Sequence, residues 1–225
     1  MLEPESFSGS IGTIRRLSPF SKSHMKTTPT DNLPAPVTTV RPLRADAQRN
    51  VAKLLDAARE AFAAHGPNAP LDDIARAAGV GAGTLYRHFP TRLALLEAVY
   101  RDNVERLCAD GERLAATEPP GDALVDWLRA FVGIVSQKRG LAAALSDEGR
   151  GRELFAECHV MINATGGELL DSAKAVGAIR EDVVLGDLLK MVGAFASAAE
   201  ASPEGSALAE RLLSMAMDGL RPRSN

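Results

Sequence analysis

The residues best suited to chemistry lie between positions 82 and 92. Hydroxyl, guanidinium and imidazole groups come together there on four side chains: Thr84, Tyr86, Arg87 and His88. No acidic residue interrupts them, and the missing side chain of Gly83 would let a partner approach the backbone closely. Donors of this kind bind phosphates and the edges of bases in a DNA groove. The segment therefore predicts contact with nucleic acid.

The stretch that carries these donors, residues 70–89, has the pattern of two short helices joined by a tight turn. Asp72 and Asp73 favour a helix start, and Gly79 favours its end. The second of these two helices is the third helix of the chain. At about 100° per residue, one of its faces is expected to point inward: Ala82, Leu85 and Phe89. The opposite face then presents Gly83, Thr84, Arg87 and His88, with Tyr86 at its flank. Two helices that meet at a glycine-containing turn are the layout of a helix-turn-helix.

Helical spacing of apolar residues continues on both sides of this motif. A first helix is predicted from about Asp46 to the break at His65-Gly66-Pro67, and Thr91 is predicted to cap a long fourth helix that reaches about Ala116. Four more helices are expected: one from Asp122, one that carries Leu154 to Ile162 after a break at 146–149, and two at roughly Glu181–Ala201 and Ser206–Leu220. No convincing two-residue alternation is present, so the chain is predicted to be all-α.

Composition places the chain among globular proteins. It has 225 residues, of which 45% are hydrophobic. No apolar run approaches the ~20 residues of a membrane span, and the N-terminus lacks a signal-peptide pattern, so a cytoplasmic location without membrane contact is expected. Cys108 and Cys158 form no CxxC motif and are predicted to be buried thiols.

Residues 1–40 are rich in Ser, Thr and Pro and show no apolar period, which predicts a disordered tail. Two further interpretations stay open. The tail would be a basic arm if Arg15, Arg16, Lys22 and Lys26 contact a partner, or it would result from a start codon assigned upstream of Met25. An inert or artefactual tail is favoured.

The net charge of −3 hides an uneven distribution. From Arg41 to Arg92, eight Arg and Lys residues stand against five Asp and Glu, whereas from Leu93 to Asn225 fourteen stand against twenty-one. Phosphates respond to local potential, so an acidic chain is compatible with a DNA-binding end. The asymmetry favours a DNA-facing N-terminal part.

Other kinds of site are disfavoured by the sequence. The glycines of Gly79–Gly83 follow a helix rather than a strand and precede no Gly-Lys-Ser/Thr, unlike a nucleotide-binding loop. His88 has no partner nearby in sequence that would make it a catalytic base, and Cys158-His159 lacks further metal ligands at helical spacing. We therefore expect no catalytic residue, no cofactor and no metal. An enzyme whose chemistry lies in the C-terminal helices is the least supported alternative.

These motifs together resemble the N-terminal domain of TetR/AcrR transcriptional regulators. The similarity is carried by Phe62 and Gly66, by Asp72-Asp73-Ile74-Ala75, by the run from Gly79 to Pro90, and by Thr91-Arg92 with Leu95. It covers about residues 48–107, whereas residues 108–225 are similar only in being helical and of suitable length. The resemblance implies a DNA-binding domain with its helix-turn-helix at 70–89, followed by an effector-binding and dimerisation domain.

The resemblance also implies roles for single residues. The third helix would enter the major groove, with Thr84 and Arg87 at base edges and with Ala82 and Gly83 against the groove floor. Phosphates would be contacted by Tyr86, His88 and Arg92, and the flanking DNA backbone by Arg44 and Arg49. The chain departs from the family in one place. Pro70-Leu71 stands where a Thr often caps the second helix beside a phosphate, so that contact is expected to be missing.

Taken with the resemblance, the sequence predicts a homodimer that binds a palindromic operator on double-stranded DNA, with recognition helices about 34–36 Å apart. The dimer interface is expected on the last two helices: Leu188, Val192, Leu208, Leu212 and Met215. An unidentified small-molecule effector would bind among the middle helices, where these aromatic and polar side chains either pack in the core or line a pocket: Trp127, Phe131, Phe155, His159 and Phe195. Its binding would tilt the fourth helix and release a repressor. The alternative is a DNA-binding or architectural protein without an effector.

Overall fold

The computed structural model describes residues 41–144 and 150–222, without the side chains of residues 41–45, 139–140, 143–144 and 150. Within those residues there are eight helices and no strand: α1 (Arg41–His65), α2 (Leu71–Ala77), α3 (Ala82–His88), α4 (Arg92–Thr117), α5 (Pro120–Ala144), α6 (Arg150–Ala175), α7 (Leu185–Glu200) and α8 (Ser206–Leu220). The predicted all-α fold is confirmed. The predicted tail at 1–40 and the break at 146–149 lie outside the described residues.

Most helix boundaries lie close to the expected ones, but the start of α7 does not. α7 begins at Leu185 rather than near Glu181. The backbone N–H of Arg180 donates to the Leu220 carbonyl at the end of α8 (3.0 Å), and the side chain of Val183 is buried. These contacts hold the chain before α7 against α8 in turn and extended backbone, and they delay the start of the helix.

Buried apolar side chains form two clusters. The N-terminal cluster joins the inner faces of α1, α2 and α3 to the first part of α4, and it includes Ile74 and Leu85. The C-terminal cluster joins the rest of α4 to α5–α8 around Trp127. Among the buried α4 residues, Val99 is the last of the first cluster and Tyr100 is the first of the second, and the half-buried Leu93 and Leu96 also pack against the second. α4 has 26 residues and is therefore about 39 Å long, so one helix belongs to both clusters.

The single tryptophan, Trp127, fixes the packing of α5 against α4 and α6. Its side chain is fully buried, and its indole Nε1 donates to the Leu107 carbonyl (3.2 Å). Glycines stand where the ring approaches the neighbouring helices. A Cβ added at Gly111 would lie 3.0 Å from the indole ring, and one added at Gly166 would lie 2.6 Å from it. The position of α4 therefore depends on this close fit.

Candidate nucleic-acid interface and ligand cavity

Two backbone hydrogen bonds close the turn between α2 and α3. The N–H of Gly79 donates to the Arg76 carbonyl (3.1 Å), and the N–H of Val80 donates to the Ala75 carbonyl (3.0 Å). This pair of bonds needs a left-handed residue after the helix, and Gly79 supplies it with a φ of 68°. Val80 packs against the N-terminal cluster. The short helices and the glycine turn expected from the sequence are therefore present.

The inner face of α3 is set by two large apolar residues. Leu85 is fully buried, and Phe89, directly after the helix, is 8% exposed, as the helical geometry predicts. The expectation that Ala82 also points inward is wrong, because this first residue of α3 is exposed. Its exposed position is compatible with the groove-floor role that the resemblance implies.

The outer face of α3 carries the predicted donors. Tyr86 is 46% exposed and Arg87 is exposed, while Thr84 and His88 are half-buried. Arg87 makes no ion pair with any residue that the structure describes. His88 lies beside a shallow groove lined by α1 residues that include Val51. The face therefore offers one cationic and several hydroxyl or imidazole donors to a partner.

Gly81 is the N-cap of α3, where glycine is favoured over alanine, but Gly83 within the helix has no such explanation inside the protein. A Cβ added at Gly81 or Gly83 would meet no atom within 4 Å. Neither residue has a positive φ, so neither needs glycine for its conformation. Glycine in a helix costs about 0.5–1 kcal/mol relative to alanine. The absence of a side chain at Gly83 therefore favours the close approach of an external partner.

The flanking arginines differ in how the protein uses them. Arg92 Nη1 donates to the Pro67 carbonyl (3.1 Å) and to the Ala69 carbonyl, so its guanidinium fastens the loop between α1 and α2 to the start of α4. Arg49 is exposed and pairs with Asp46. The side chain of Arg44 lies outside the described residues. The DNA contacts expected of these three residues stay predictions.

The N-caps of α4 and α2 agree with the predictions from the sequence. The Thr91 hydroxyl accepts a hydrogen bond from the Ala94 N–H (3.0 Å) and caps α4 as predicted. Pro70 precedes α2 with no side-chain cap. As expected from Pro70-Leu71, no side-chain hydroxyl caps α2.

A polar network crosses the junction between the two clusters. Asn103 on α4 is buried, and its amide oxygen accepts from Arg59 Nε on α1 (2.6 Å). Its amide nitrogen donates to Gln137 Oε1 on α5 (2.6 Å). Arg59 also pairs with Asp56 (2.9 Å) and with Asp102. One side chain of α4 therefore links the first helix of the N-terminal part to the C-terminal part.

Arg106 closes the network on its exposed side. It lies 2.9 Å from Asp56 and 2.9 Å from Asp102. The hydrogen bond from Arg59 and the charge of Arg106 hold the pKa of Asp56 below its usual value. This network was not predicted from the sequence. The available signal was Asn103, a polar residue within the apolar stripe of the fourth helix.

A cavity of about 370 Å³ lies among α4, α5, α6 and α7, and we call it the C-terminal cavity. Three of the predicted pocket residues line it: Phe131, Phe155 and His159. The other two predicted residues do not line this cavity, and their contact with a ligand stays a prediction. Trp127 lies behind the lining, where its ring stacks on Phe131 with 5.9 Å between centroids. Phe195 packs half-buried against the C-terminal cluster and does not reach the cavity.

Several residues of the lining were not foreseen. Tyr100 comes from α4, Lys138 from α5, Asn163 from α6 and Lys190 from α7. Burial raises the pKa of the Tyr100 hydroxyl. These residues come together only when four helices pack, so no spacing within one helix could have identified them.

A second cavity, of about 400 Å³, lies at the junction of the two clusters. Phe62 and Pro67 line it from the N-terminal part, and Ser136 and Leu141 line it from α5. Tyr100 lines both this cavity and the C-terminal cavity. A single α4 side chain therefore stands between the two spaces.

The predicted dimer residues fall into two groups. Leu188 and Val192 are 2% and 0% exposed within the single chain, so the prediction that they contact a partner is wrong. They lie on the α7 face that packs into the C-terminal cluster. Leu208 and Leu212 are half-buried, and Met215 is 71% exposed. The α8 residues thus remain available to a partner.

Cys108 and Cys158 are both buried free thiols, as predicted. Burial raises the pKa of the Cys158 thiol. In the described part of the chain, no group of three or more His, Cys, Asp or Glu residues could hold a metal ion. Nor does any helix found there have the length and apolar character needed to cross a membrane.

Two family profiles match the chain. One is described as bacterial regulatory proteins, tetR family, and matches residues 54–99; the other is described as transcriptional regulator SbtR-like, C-terminal domain, and matches residues 119–222. The HTH-type transcriptional repressor LfrR of Mycolicibacterium smegmatis is 43% identical over 76 residues, which are 34% of this chain and 40% of LfrR. The HTH-type transcriptional regulator TtgW of Pseudomonas putida is 47% identical over 60 residues, which are 26% of this chain and 45% of TtgW. These matches span less than half the length of either curated relative.

Solved structures extend the similarity to nearly whole chains. The TetR regulator SCO0520 of Streptomyces coelicolor is 40% identical with a TM-score of 0.66, over 77% of this chain and 99% of that one. A TetR regulator of Mycobacterium vanbaalenii is also 40% identical, with a TM-score of 0.64 over 80% and 100% of the two chains. LfrR in complex with proflavine is 27% identical, with a TM-score of 0.59 over 79% and 99%. The chain therefore belongs to the TetR family of transcriptional regulators.

Proposed function

We propose that the chain is a homodimeric repressor that binds a palindromic operator through α3 in the cytoplasm and leaves it when a small molecule fills the C-terminal cavity. The observation that carries DNA binding is the outer face of α3. There Tyr86 and Arg87 are exposed beside the bare backbone of Gly83. Repression is also the role named for LfrR, which is 43% identical over 76 residues.

Binding in the major groove agrees with the dimensions and charges of α3. The helix is short and is anchored by Leu85, so its outer residues can enter a groove without the rest of the domain clashing. Arg87 is able to form two hydrogen bonds to a guanine. Because Arg87 has no ion pair with the residues that the structure describes, binding DNA would break none of that kind.

Dimerisation is supported by the apolar residues that the single chain leaves uncovered on α7 and α8. Met215 is 71% exposed, and four neighbours on these helices are half-buried: Met191, Phe195, Leu208 and Leu212. Exposed apolar surface of this kind is typical of protein–protein contacts. We therefore place the dimer interface on these side chains rather than on Leu188 and Val192.

Ligand control is supported by the path from the C-terminal cavity to α3. Tyr100 borders the cavity and stands next to Val99, which belongs to the N-terminal cluster. A shift of α4 would also act on Arg59 through Asn103. A coupling of about 1–3 kcal/mol between ligand and DNA is enough for a working switch.

The test is a footprint on the DNA upstream of the chain's own gene, followed by affinity measurements at fixed salt. We expect protection of two half-sites about one helical turn apart. Arg87→Ala should remove about 1–3 kcal/mol of base discrimination, whereas Arg113→Ala, an exposed arginine near the far end of α4, should change nothing. No protected site, or an Arg87→Ala variant that still discriminates fully, would contradict the proposal.

A further inference from the structure

We propose that the C-terminal cavity takes a small amphipathic anion, an apolar alkyl or aromatic body that ends in a carboxylate. The inference rests on the proposed function, because it names the chemical class of the effector for that same cavity. It follows from how polar and apolar residues divide the lining.

The inner part of the cavity is aromatic and aliphatic. The side chains that form it are Tyr100, Phe131, Ile134, Ile162 and Leu189, and all five are buried. The Tyr100 and Phe155 rings meet edge to face, at 5.5 Å and 88°, which fixes the shape of one wall. A volume of about 370 Å³ lies at the small end of the range for ligand pockets. The ligand body is therefore apolar and compact.

The charged part of the lining is basic. Lys138 and Lys190 line the cavity together with His159 and Asn163, and no acidic residue is among the lining residues that the structure describes. The Lys138 ammonium lies 5.2 Å from the centroid of the Phe155 ring, so a cation–π contact holds it at the cavity. A carboxylate that enters with its apolar end first would place its oxygens near this ammonium.

Two acidic residues close in sequence to the lining, Glu157 and Asp187, are already paired. Glu157 lies 2.6 Å from Arg101, and Asp187 lies 3.3 Å from Lys190. Lys190 therefore shares its charge with an acid, and Lys138 is the stronger candidate for the anion. A cationic ligand would meet the Lys138 ammonium and no carboxylate among the described lining residues, which disfavours it by like-charge repulsion.

The single tryptophan supplies a binding readout that needs no DNA. Trp127 stacks on Phe131, which lines the cavity, so a bound ligand should change the indole fluorescence. Decanoate, 1-decanol and decylammonium have equal chains and differ in the head group, and 1-naphthoate with 1-naphthalenemethanol repeats the comparison for an aromatic body. We expect each carboxylate to bind on the order of tenfold more tightly than its alcohol, and decylammonium to bind least.

Lys138→Met keeps the length of the side chain and removes its charge. It should abolish the preference for carboxylate over alcohol, whereas Lys53→Met on α1, an exposed lysine away from the cavity, should preserve it. Equal or tighter binding of the alcohols or of decylammonium would overturn the inference, as would an unchanged preference in Lys138→Met. Operator release is measured separately. Lysine-dependent carboxylate binding that leaves DNA bound would uphold this site and refute its proposed role in control.

Discussion

Gly83→Ala should make the protein more stable and a poorer DNA binder at the same time. Gly83 is the second residue of α3, it has no positive φ, and an added Cβ would meet open space. Alanine should therefore stabilise the free protein by about 0.5–1 kcal/mol. For a chain of this size that corresponds to a rise in Tm of roughly 1–4 °C.

On DNA the same methyl group would press against the groove. Overpacking by a methylene-sized group in a fitted contact costs about 1–3 kcal/mol, which is roughly fivefold to 150-fold in affinity for each half-site. The measurements are thermal unfolding of the free protein and fluorescence anisotropy with the operator fragment at fixed salt. Opposite signs in the two assays are the expected signature.

Gly167→Ala is the matched control. Gly167 also lies within a helix, α6, with open space around an added Cβ and no positive φ, but it lies far from α3 in the sequence and outside the N-terminal cluster. It should raise the Tm by a similar amount and leave the operator affinity unchanged. If Gly83→Ala binds the operator as tightly as the parent protein, DNA does not approach the backbone at Gly83 closely, which contradicts the prediction.

Three further substitutions and one reactivity measurement test other parts of the molecule. Arg92→Ala should lower the Tm, because the α1–α2 loop loses its anchor; if Arg92 also contacts a phosphate, it weakens binding to all sequences and reduces the salt slope by about one, and an unaltered slope would exclude that contact. Asn103→Ala should cost about 1–3 kcal/mol of unfolding free energy and reduce the effect of ligand on DNA affinity while ligand affinity stays the same; full coupling would show that this link is dispensable. Met215→Glu should shift sedimentation from dimer to monomer, and a persistent dimer would place the interface elsewhere. Cys158 should react slowly with a thiol reagent at pH 8 in the native protein and rapidly once unfolded, because burial raises its pKa and lowers the thiolate fraction; rapid native modification would contradict the burial.

The helix-turn-helix could be predicted because its signals are local. Gly79 ends α2 through a left-handed residue, and Leu85 and Phe89 fall on one face at a fixed angle. The wrong prediction for Ala82 shows what helical geometry alone cannot predict. Helical angle gives a direction, but burial also requires neighbouring side chains that cover the residue, and Ala82 at the first position of α3 is exposed.

The contacts of the C-terminal half were harder to predict because its apolar patterns are ambiguous. Leu188 and Val192 form an apolar stripe that looks the same whether it faces α5 and α8 of its own chain or a partner. The stripe packs within its own chain. The surface that stays exposed is formed by residues such as Met215, and a single apolar residue of this kind does not predict an interface. The lining of the C-terminal cavity was hard to predict for a similar reason. Lys138 and Tyr100 line the same cavity only because α4 packs on α5.

The position of Tyr100 explains how ligand and DNA sites could share one element. Its side chain borders both cavities, and the preceding residue, Val99, packs with Leu85 in the cluster that supports α3. Packed cores resist gradual deformation and move between discrete arrangements. In the proposed mechanism, a ligand that displaces Tyr100 would shift α4, and Asn103, one turn further along, would pass that movement to α1. The spacing of the two recognition helices in the proposed dimer would then change because one helix belongs to both clusters, without any contact between the ligand and α3.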